Sequence, residues 1–399
     1  MGSYCELYIS NFPIATSKNE IDPFVLSVFQ PEDLKTFNRK VEERFQLLYV
    51  SGEELEEDEQ AIQFFASTKV AIERLEVMGF TLQKAKESFE KDKLASITML
   101  EEFKEGHNSD DKYLQHLQTE ISLLKESNFN DFITASKAII DNKLGLKIDE
   151  PEPIKNSDKL IEYLLQERFG LERFPYGYDP RTLIRILCEI YKDNDILTYD
   201  VTELIAAGYY ESDPNSIYSQ VIESINFDYE IGDKFIVLTE GTSDINILIQ
   251  SLELLYPHLK DYYSFMDFGI SNASGSASSL VASIKSFVGA KINNKIIALF
   301  DNDTAAEDAI RNLKRTQIPN NIRILQYPSI KSNEDYPTIG PSGITKMDIN
   351  GLAGSIETYL GESTKDEKGK YYPVQWKGYN STLNKYQGEI LSKTQIQKD

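Results

Sequence analysis

The chain has 399 residues, 41% of them hydrophobic, and a net charge of −22, which predicts two or three soluble domains with well-packed cores. The acidity lies in residues 1–250, with 25 basic and 48 acidic side chains, whereas residues 251–399 carry 17 and 16. This balance excludes a broad basic nucleic-acid surface, and the absence of a long apolar run or a basic leader excludes a membrane span and a signal peptide.

The first 150 residues are predicted to form a mainly helical domain with a short β element. Strand-like runs occur at Tyr4–Ile9 and Phe24–Phe29, and a helix start occurs at Pro31. Apolar residues at three- and four-residue steps then predict helices from residue 60 to 146, with Phe64 and Phe65 in the first of them. The proline-rich segment Asp149–Pro153 is predicted to be a linker.

Residues 157–228 are predicted to be a helical middle region. From residue 231 to 362 the pattern changes to short β-branched runs that alternate with helical segments. Such alternation is typical of an open, mainly parallel sheet flanked by helices. Residues 363–399 are predicted to be a C-terminal extension. The predicted strands of the α/β region, residues 231–362, are Phe235–Leu238, Tyr263–Phe268, Lys295–Phe300 and Ile322–Tyr327.

Acidic residues follow two of these predicted strands. Glu240 comes after Phe235–Leu238, and Asp301 and Asp303 come after Lys295–Phe300. If the two strands are neighbours, the three carboxylates converge at one edge, because ligand sites in open α/β sheets lie beyond the carboxyl ends of strands. Clustered carboxylates need a cation, and hard oxygen ligands suit Mg²⁺ or Mn²⁺.

An apolar strand ending in Glu-Gly-x-x-Asp, followed some sixty residues later by one ending in Asp-x-Asp, resembles the Toprim signature. Topoisomerases, bacterial primases and nucleases of the OLD type share it. The resemblance implies that Glu240 acts as general acid/base or metal ligand and that Asp301 and Asp303 bind Mg²⁺. It also implies a turn at Gly241 beside the metal.

Three more acids are weaker candidates. Asp244 either binds metal or caps the helix that follows. Glu357 either supports a second metal, as a further acid does in Toprim nucleases, or is an exposed helix residue. Asp267, at the end of its predicted strand, either joins the acidic cluster or lies apart from it.

The loop containing Ser274, Gly275 and Ser276, together with Gly241, is a candidate phosphate site. It either offers backbone N–H groups to a phosphate or is a plain connection.

The opening Met1–Ile9 and the later Asp22-Pro23-Phe24 resemble the domain that precedes Toprim in bacterial HEPN/Toprim-associated proteins. No Arg precedes a His at the spacing that HEPN ribonucleases use, so a HEPN active site is not predicted. Cys5 and Cys188 form no paired motif and are predicted to be buried thiols.

The sequence therefore predicts a cytoplasmic, Mg²⁺- or Mn²⁺-dependent nuclease that cuts DNA or RNA, and the resemblance suggests an anti-phage effector. Topoisomerase and primase are disfavoured, because no breakage-reunion module and no zinc domain are recognisable. The alternative is a non-catalytic Toprim module that docks a partner such as an ATPase. A homodimer or larger assembly is compatible with either function.

Overall fold

The computed structural model divides the chain into two compact units, residues 1–232 and 233–399. The predicted linker Asp149–Pro153 and the candidates Asp267 and Ser274 lie outside the residues that the structure describes. The described residues are 2–41, 58–106, 111–145, 158–165, 171, 173–177, 179–191, 195–210, 214–225, 234–266 and 275–397.

A five-stranded antiparallel sheet lies in the N-terminal unit, in the order β2-β1-β5-β4-β3. Its central strand, β5, comes from near residue 200 and lies between β1 and β4. The strands are β1 (Tyr4–Ile9), β2 (Phe12–Lys18), β3 (Leu34–Lys40), β4 (Asp58–Ser67) and β5 (Ile196–Asp200).

Helices of the same unit pack with this sheet around one hydrophobic core. In that core the ring of Phe89 lies 5.1 Å from Phe132 and 5.7 Å from Phe174, measured between centroids. The α-helices are α1 (Pro23–Leu26), α2 (Thr68–Met78), α3 (Leu82–Gly106), α4 (Asp111–Glu126), α5 (Phe129–Asp141), α6 (Lys159–Leu164), α7 (Pro180–Ile190), α8 (Thr202–Ala206) and α9 (Pro214–Ile225), with a 3₁₀ turn at Pro31–Asp33.

The five-stranded sheet of this unit corrects the prediction of one short β element, although helices still hold more of its described residues than strands do. The run Phe24–Phe29 begins as α1, because Asp22 caps the backbone N–H groups of Phe24 and Val25 and Pro23 occupies the first helical position. Phe64 and Phe65 lie on β4 rather than on a helix. The predicted helical middle region, residues 157–228, supplies β5 to the sheet.

The C-terminal unit contains a four-stranded parallel sheet in the order β10-β8-β6-β7. Helices α10 (Thr242–Leu255), α11 (Ala277–Gly289) and α12 (Thr304–Arg311) flank it, so the predicted parallel sheet with helices is confirmed. The strands are β6 (Phe235–Leu238), β7 (Tyr263–Phe265), β8 (Ile296–Phe300) and β10 (Ile322–Gln326), and a 3₁₀ turn spans Pro257–Tyr262.

A second four-stranded sheet follows, in the order β12-β11-β14-β15. Its core contains Tyr336, Val374 and Ile390. The remaining elements are β9 (Asn302–Asp303), β11 (Tyr336–Gly340), β12 (Gly343–Met347), β13 (Ala353–Gly354), β14 (Val374–Asn380), β15 (Lys385–Ile390), α13 (Lys393–Ile396) and 3₁₀ turns at Lys331–Asn333, Ile356–Tyr359 and Gly361–Thr364. The short strands β9 and β13 pair with each other.

No helix in the described part of the chain is both long and apolar enough to span a bilayer. Cys5 and Cys188 are free, buried thiols, and burial raises the pKa of Cys188 to about 12. Both thiols are therefore protonated at neutral pH and suit packing rather than metal binding.

Candidate metal centre

Two predicted acids meet at the carboxyl edge of the parallel sheet. β6 and β8 are hydrogen-bonded neighbours, with Leu238 opposite Ala298, so the chain leaves both strands at the same edge. There the Glu240 carboxylate Oε1 accepts a hydrogen bond of 2.9 Å from the backbone N–H of Asp301. One side chain therefore fixes the distance between the two strand ends.

Burial makes both of these acids hard to ionise. It raises the pKa of Glu240 to about 7, aided by the Asp303 and Asp244 charges and opposed by the hydrogen bond from the Asp301 amide. Burial, then the neighbouring Glu240, Asp244 and Asp303 charges, raises the pKa of Asp301 well above its usual range. The Asp301 Oδ1 atom is buried and has no hydrogen-bond partner among the described residues. A bound cation would favour the ionised form of these buried carboxyl groups and would give the Asp301 oxygen a partner.

Asp303 has a structural role as well as a predicted chemical one. It is the N-cap of α12, and its Oδ1 accepts a hydrogen bond of 2.7 Å from the N–H of Ala306. Burial nevertheless raises the pKa of Asp303. The cap fixes the orientation of this carboxylate beside Asp301, since rotating it away would leave a helix N–H without its partner.

Asp244 lies inside α10 and is not its N-cap, which is Gly241. The side chain is 7% exposed, and the Tyr327 hydroxyl donates to its Oδ1 at 3.4 Å. Burial raises the pKa of Asp244 to about 6, aided by the charge of Glu357. The sequence left open whether Asp244 binds metal or caps the helix. The structure excludes the cap, and metal binding stays a prediction.

Glu357 is buried rather than exposed, with 1% of its surface accessible. It lies on the 3₁₀ turn Ile356–Tyr359, and its Oε1 accepts a hydrogen bond of 2.7 Å from the Gln397 side chain. Its Oε2 lies 3.9 Å from the ammonium nitrogen of Lys393. Glu357 therefore contacts Lys393 on the C-terminal helix α13 and Gln397, the residue that follows this helix.

Lys393 is a site residue that sequence reasoning missed. Burial alone would lower its pKa, but the surrounding carboxylates, chiefly Glu357 and then Asp301, outweigh it and raise the pKa. The same ammonium acts against the raised pKa values of Glu240, Asp244, Asp301 and Asp303. No local motif marks this lysine, because only the tertiary fold brings the chain end to the acids.

The predicted phosphate-binding loop approaches the same edge. A Cβ on Gly275 would lie 3.0 Å from the Glu240 carbonyl oxygen, so only glycine allows this backbone approach without displacement. Ser276 caps α11 by accepting a hydrogen bond of 3.1 Å from the N–H of Ser279. The N-terminus of α11 therefore begins beside Glu240, which is a geometry that favours anions.

The donor set fits a hard cation only in part. As the side chains lie, no three Asp, Glu, His or Cys residues of the described chain converge closely enough to hold a metal ion. Mg²⁺, however, commonly engages only one or two protein carboxylates and keeps several waters. The unpartnered Asp301 oxygen, with Glu240 or Asp303 beside it, fits that mode of binding.

Comparison with known proteins identifies a family. The family model described as HEPN/Toprim N-terminal domain 1 matches residues 1–224, which is more than half of the chain. No curated protein and no solved structure matches.

Proposed function

We propose that this chain, which belongs to the HEPN/Toprim N-terminal domain 1 family, is a metal-dependent nuclease whose C-terminal unit is a Toprim domain related to the OLD-type nucleases. The observation that carries the proposal is the meeting of two acids at the carboxyl ends of the neighbouring strands β6 and β8, where the Glu240 carboxylate accepts a hydrogen bond from the Asp301 amide. We assign residues 231–362 to the Toprim domain and residues 363–399 to its C-terminal extension. We assign residues 1–150 to the N-terminal domain and residues 157–228 to the middle region, and both belong to the unit that spans residues 1–232.

Asp301 and Asp303 would hold Mg²⁺ or Mn²⁺, with Asp244 and Glu357 available for a second ion. When bound, the ion would make water a better nucleophile and neutralise charge on the phosphate. Glu240, with a pKa of about 7, suits the transfer of a proton at neutral pH. Its Oε1 is held by the Asp301 amide, so its Oε2 is the atom that we assign to proton transfer.

Two further groups would hold the phosphate. Lys393 supplies a positive charge among the acids, which can attract a phosphodiester and offset its repulsion by the carboxylates. The N–H groups at the start of α11, with Gly241, Gly275 and Ser276, would bind the phosphate oxygens, and Ser274 is proposed for the same role from the sequence. The resemblance to bacterial defence proteins supports an anti-phage role in the cytoplasm.

A cleavage assay tests the proposal. The protein is incubated with Mg²⁺ or Mn²⁺ and with plasmid DNA, single-stranded DNA and total RNA, beside the Glu240→Gln and Asp301→Asn variants. Glu362→Gln is the matched control, because Glu362 is an exposed acid in the same unit, with 89% of its side chain accessible. Cutting that both site variants lose and the control keeps supports the nuclease. Equal cutting by Asp301→Asn refutes it.

A non-catalytic binding module, docking a partner such as an ATPase, is the second candidate. The observation that favours it is the set of protein contacts already made by the acids: Asp303 caps α12, and Glu357 is held by Gln397 with Lys393 close by. Such a module would bind Mn²⁺ or nucleic acid in calorimetry without cutting it. Cleavage that depends on Asp301 contradicts this reading.

A further inference from the structure

Three aromatic side chains form a continuous cluster on the hairpin of β14 and β15. Tyr379 and Tyr386 are directly opposed across the two strands, and their ring centroids lie 5.1 Å apart. The Trp376 ring lies 5.9 Å from that of Tyr386. Both tyrosines are more than half exposed, at 55% and 53%. Trp376 is partly buried against the core of its sheet and lies beneath the two exposed rings. Neighbouring exposed aromatic rings are typical of a binding surface rather than of a solvated strand.

The turn that presents this cluster is built from defined hydrogen bonds. Asn380 accepts bonds of 2.9 and 3.0 Å from the N–H groups of Thr382 and Leu383. Asn384 then takes a left-handed conformation, with φ at 53°, before β15 begins. Because the turn is held in this way, the rings are positioned before any partner arrives, which lowers the entropic cost of binding.

The cluster lies next to the candidate metal centre within the same unit. Thr304, the residue after Asp303, donates its hydroxyl to the Tyr386 carbonyl oxygen at 2.6 Å. Lys385, which precedes Tyr386, forms an ion pair of 2.6 Å with Glu307 on α12. The strand that carries Tyr386 ends at Ile390, and three residues later Lys393 begins α13 beside Glu357. The exposed rings and the acids are therefore connected through a few residues of β15 and α12.

Local charge identifies the chemistry of the partner. Residues 374–393 contain three lysines and one glutamate, although the chain as a whole carries −22. Lys385 and Lys393 face Glu307 and Glu357, and the half-exposed Lys377 lies 3.9 Å from Glu389, so a phosphate would share these lysines with the acids. Aromatic rings interleaved with lysines match the bases and phosphates of an unpaired strand, because every base has a face that can stack and every linkage carries a negative charge. A duplex hides those faces inside its own stack.

We propose that Trp376, Tyr379 and Tyr386 form a stacking platform that holds the unpaired bases of a nucleic-acid strand beside the candidate metal centre. The proposal rests on the proposed function and narrows its substrate class to nucleic acid with single-stranded segments. A substrate strand would stack one or two bases on the tyrosines while its backbone passes toward Asp301 and Lys393.

The single tryptophan of the chain makes the proposal measurable, because Trp376 belongs to the platform itself. The full chain in EDTA is titrated with a 15-nucleotide oligothymidylate and with its duplex, and Trp376 emission is recorded. We expect the single strand to quench the emission and the duplex to bind more weakly. Tyr386→Leu and Tyr379→Leu should each weaken single-strand binding about tenfold, the effect of losing one stacked base, while Tyr386→Phe retains it.

Tyr256→Leu is the matched control, since Tyr256 is an equally exposed tyrosine (49%) that follows α10. Circular dichroism melting verifies that each variant is folded. Equal affinity of wild type and both leucine variants overturns the proposal, as does a folded wild type that the single strand neither binds nor quenches. Binding of the duplex as tightly as the single strand also overturns it.

Cleavage of an oligonucleotide made of stable abasic (tetrahydrofuran) residues, which carries no aromatic ring to stack, separates this proposal from the proposed function. We expect the tyrosine variants to keep that activity and Asp301→Asn to lose it. If Asp301→Asn is as active as wild type while the tyrosine variants bind oligothymidylate weakly, the nuclease assignment fails and the platform stands. If the tyrosine variants lose cleavage of this abasic strand, the rings act on the centre itself and the platform proposal fails.

Discussion

Asp244→Asn should stabilise the metal-free protein at alkaline pH. The carboxyl is buried, and burial raises its pKa to about 6 in the fold, against 3.8 for an aspartate in water. The folded state therefore keeps a proton between these two values that the unfolded chain has released. The free energy of unfolding must fall as pH rises through this window and must stay low above pH 6.

The magnitude follows from the size of this shift. One pKa unit is about 1.4 kcal/mol, so ionised Asp244 costs the fold about 3 kcal/mol at pH 8 and less than about 1 kcal/mol at pH 4. Asparagine removes the charge, keeps the shape and can still accept the hydrogen bond from Tyr327. We therefore expect Asp244→Asn to be more stable by roughly 2–3 kcal/mol at pH 8 and nearly equal to wild type at pH 4.

The assay is urea unfolding in EDTA, followed by the emission of Trp376, which belongs to the same unit. Glu362→Gln serves as the control, and an exposed substitution of this kind should change stability by less than about 0.5 kcal/mol. A gain that is the same at pH 4 and pH 8 would refute the electrostatic explanation. So would a variant no more stable than wild type at pH 8.

Three other predictions concern stability. Mn²⁺ at about 100 times its Kd should raise the unfolding free energy of wild type by about 2.7 kcal/mol and should not stabilise Asp301→Asn; equal stabilisation would remove Asp301 from the site. Gly354→Ala should cost roughly 1–3 kcal/mol in the Trp376 transition, since its Cβ would lie 2.9 Å from the Asn302 carbonyl oxygen; an unchanged midpoint would contradict this. Arg74→Met should destabilise the N-terminal unit by roughly 3–5 kcal/mol, because it leaves the partly buried Asp33 carboxylate without its cation. Unfolding in urea, followed by circular dichroism, measures this loss, and a loss below about 1 kcal/mol would be evidence against the prediction.

The parallel sheet was predictable because its signal is local. Phe235–Leu238 and Ile296–Phe300 are short, apolar, β-branched runs, and strands covered on both faces need that composition. The acids at their ends were then placed by topology alone. Asp244 and Glu357 were less certain, since neither their burial nor their partners follow from neighbouring residues.

The N-terminal sheet was not predictable in the same way. Most residues of β3 are exposed, and β5 is a five-residue strand inside a segment whose other elements are helices. Its pairing depends on residues far away in the chain, such as Glu6 opposite Asp200. Lys393 was missed for the same reason, because its importance arises only where the chain end meets the acids.

The central position of β5 has a consequence for biosynthesis. While the ribosome is still making the first 195 residues, β1 and β4 cannot be joined, because the strand that lies between them does not yet exist. Each nascent hairpin then presents an open edge, which is a template for wrong pairing with other chains. The emergence of Ile196–Asp200 covers the inner edges of both hairpins at once and leaves β2 and β3 as the outer strands, so a chain that ends before residue 196 should aggregate more readily than the finished chain.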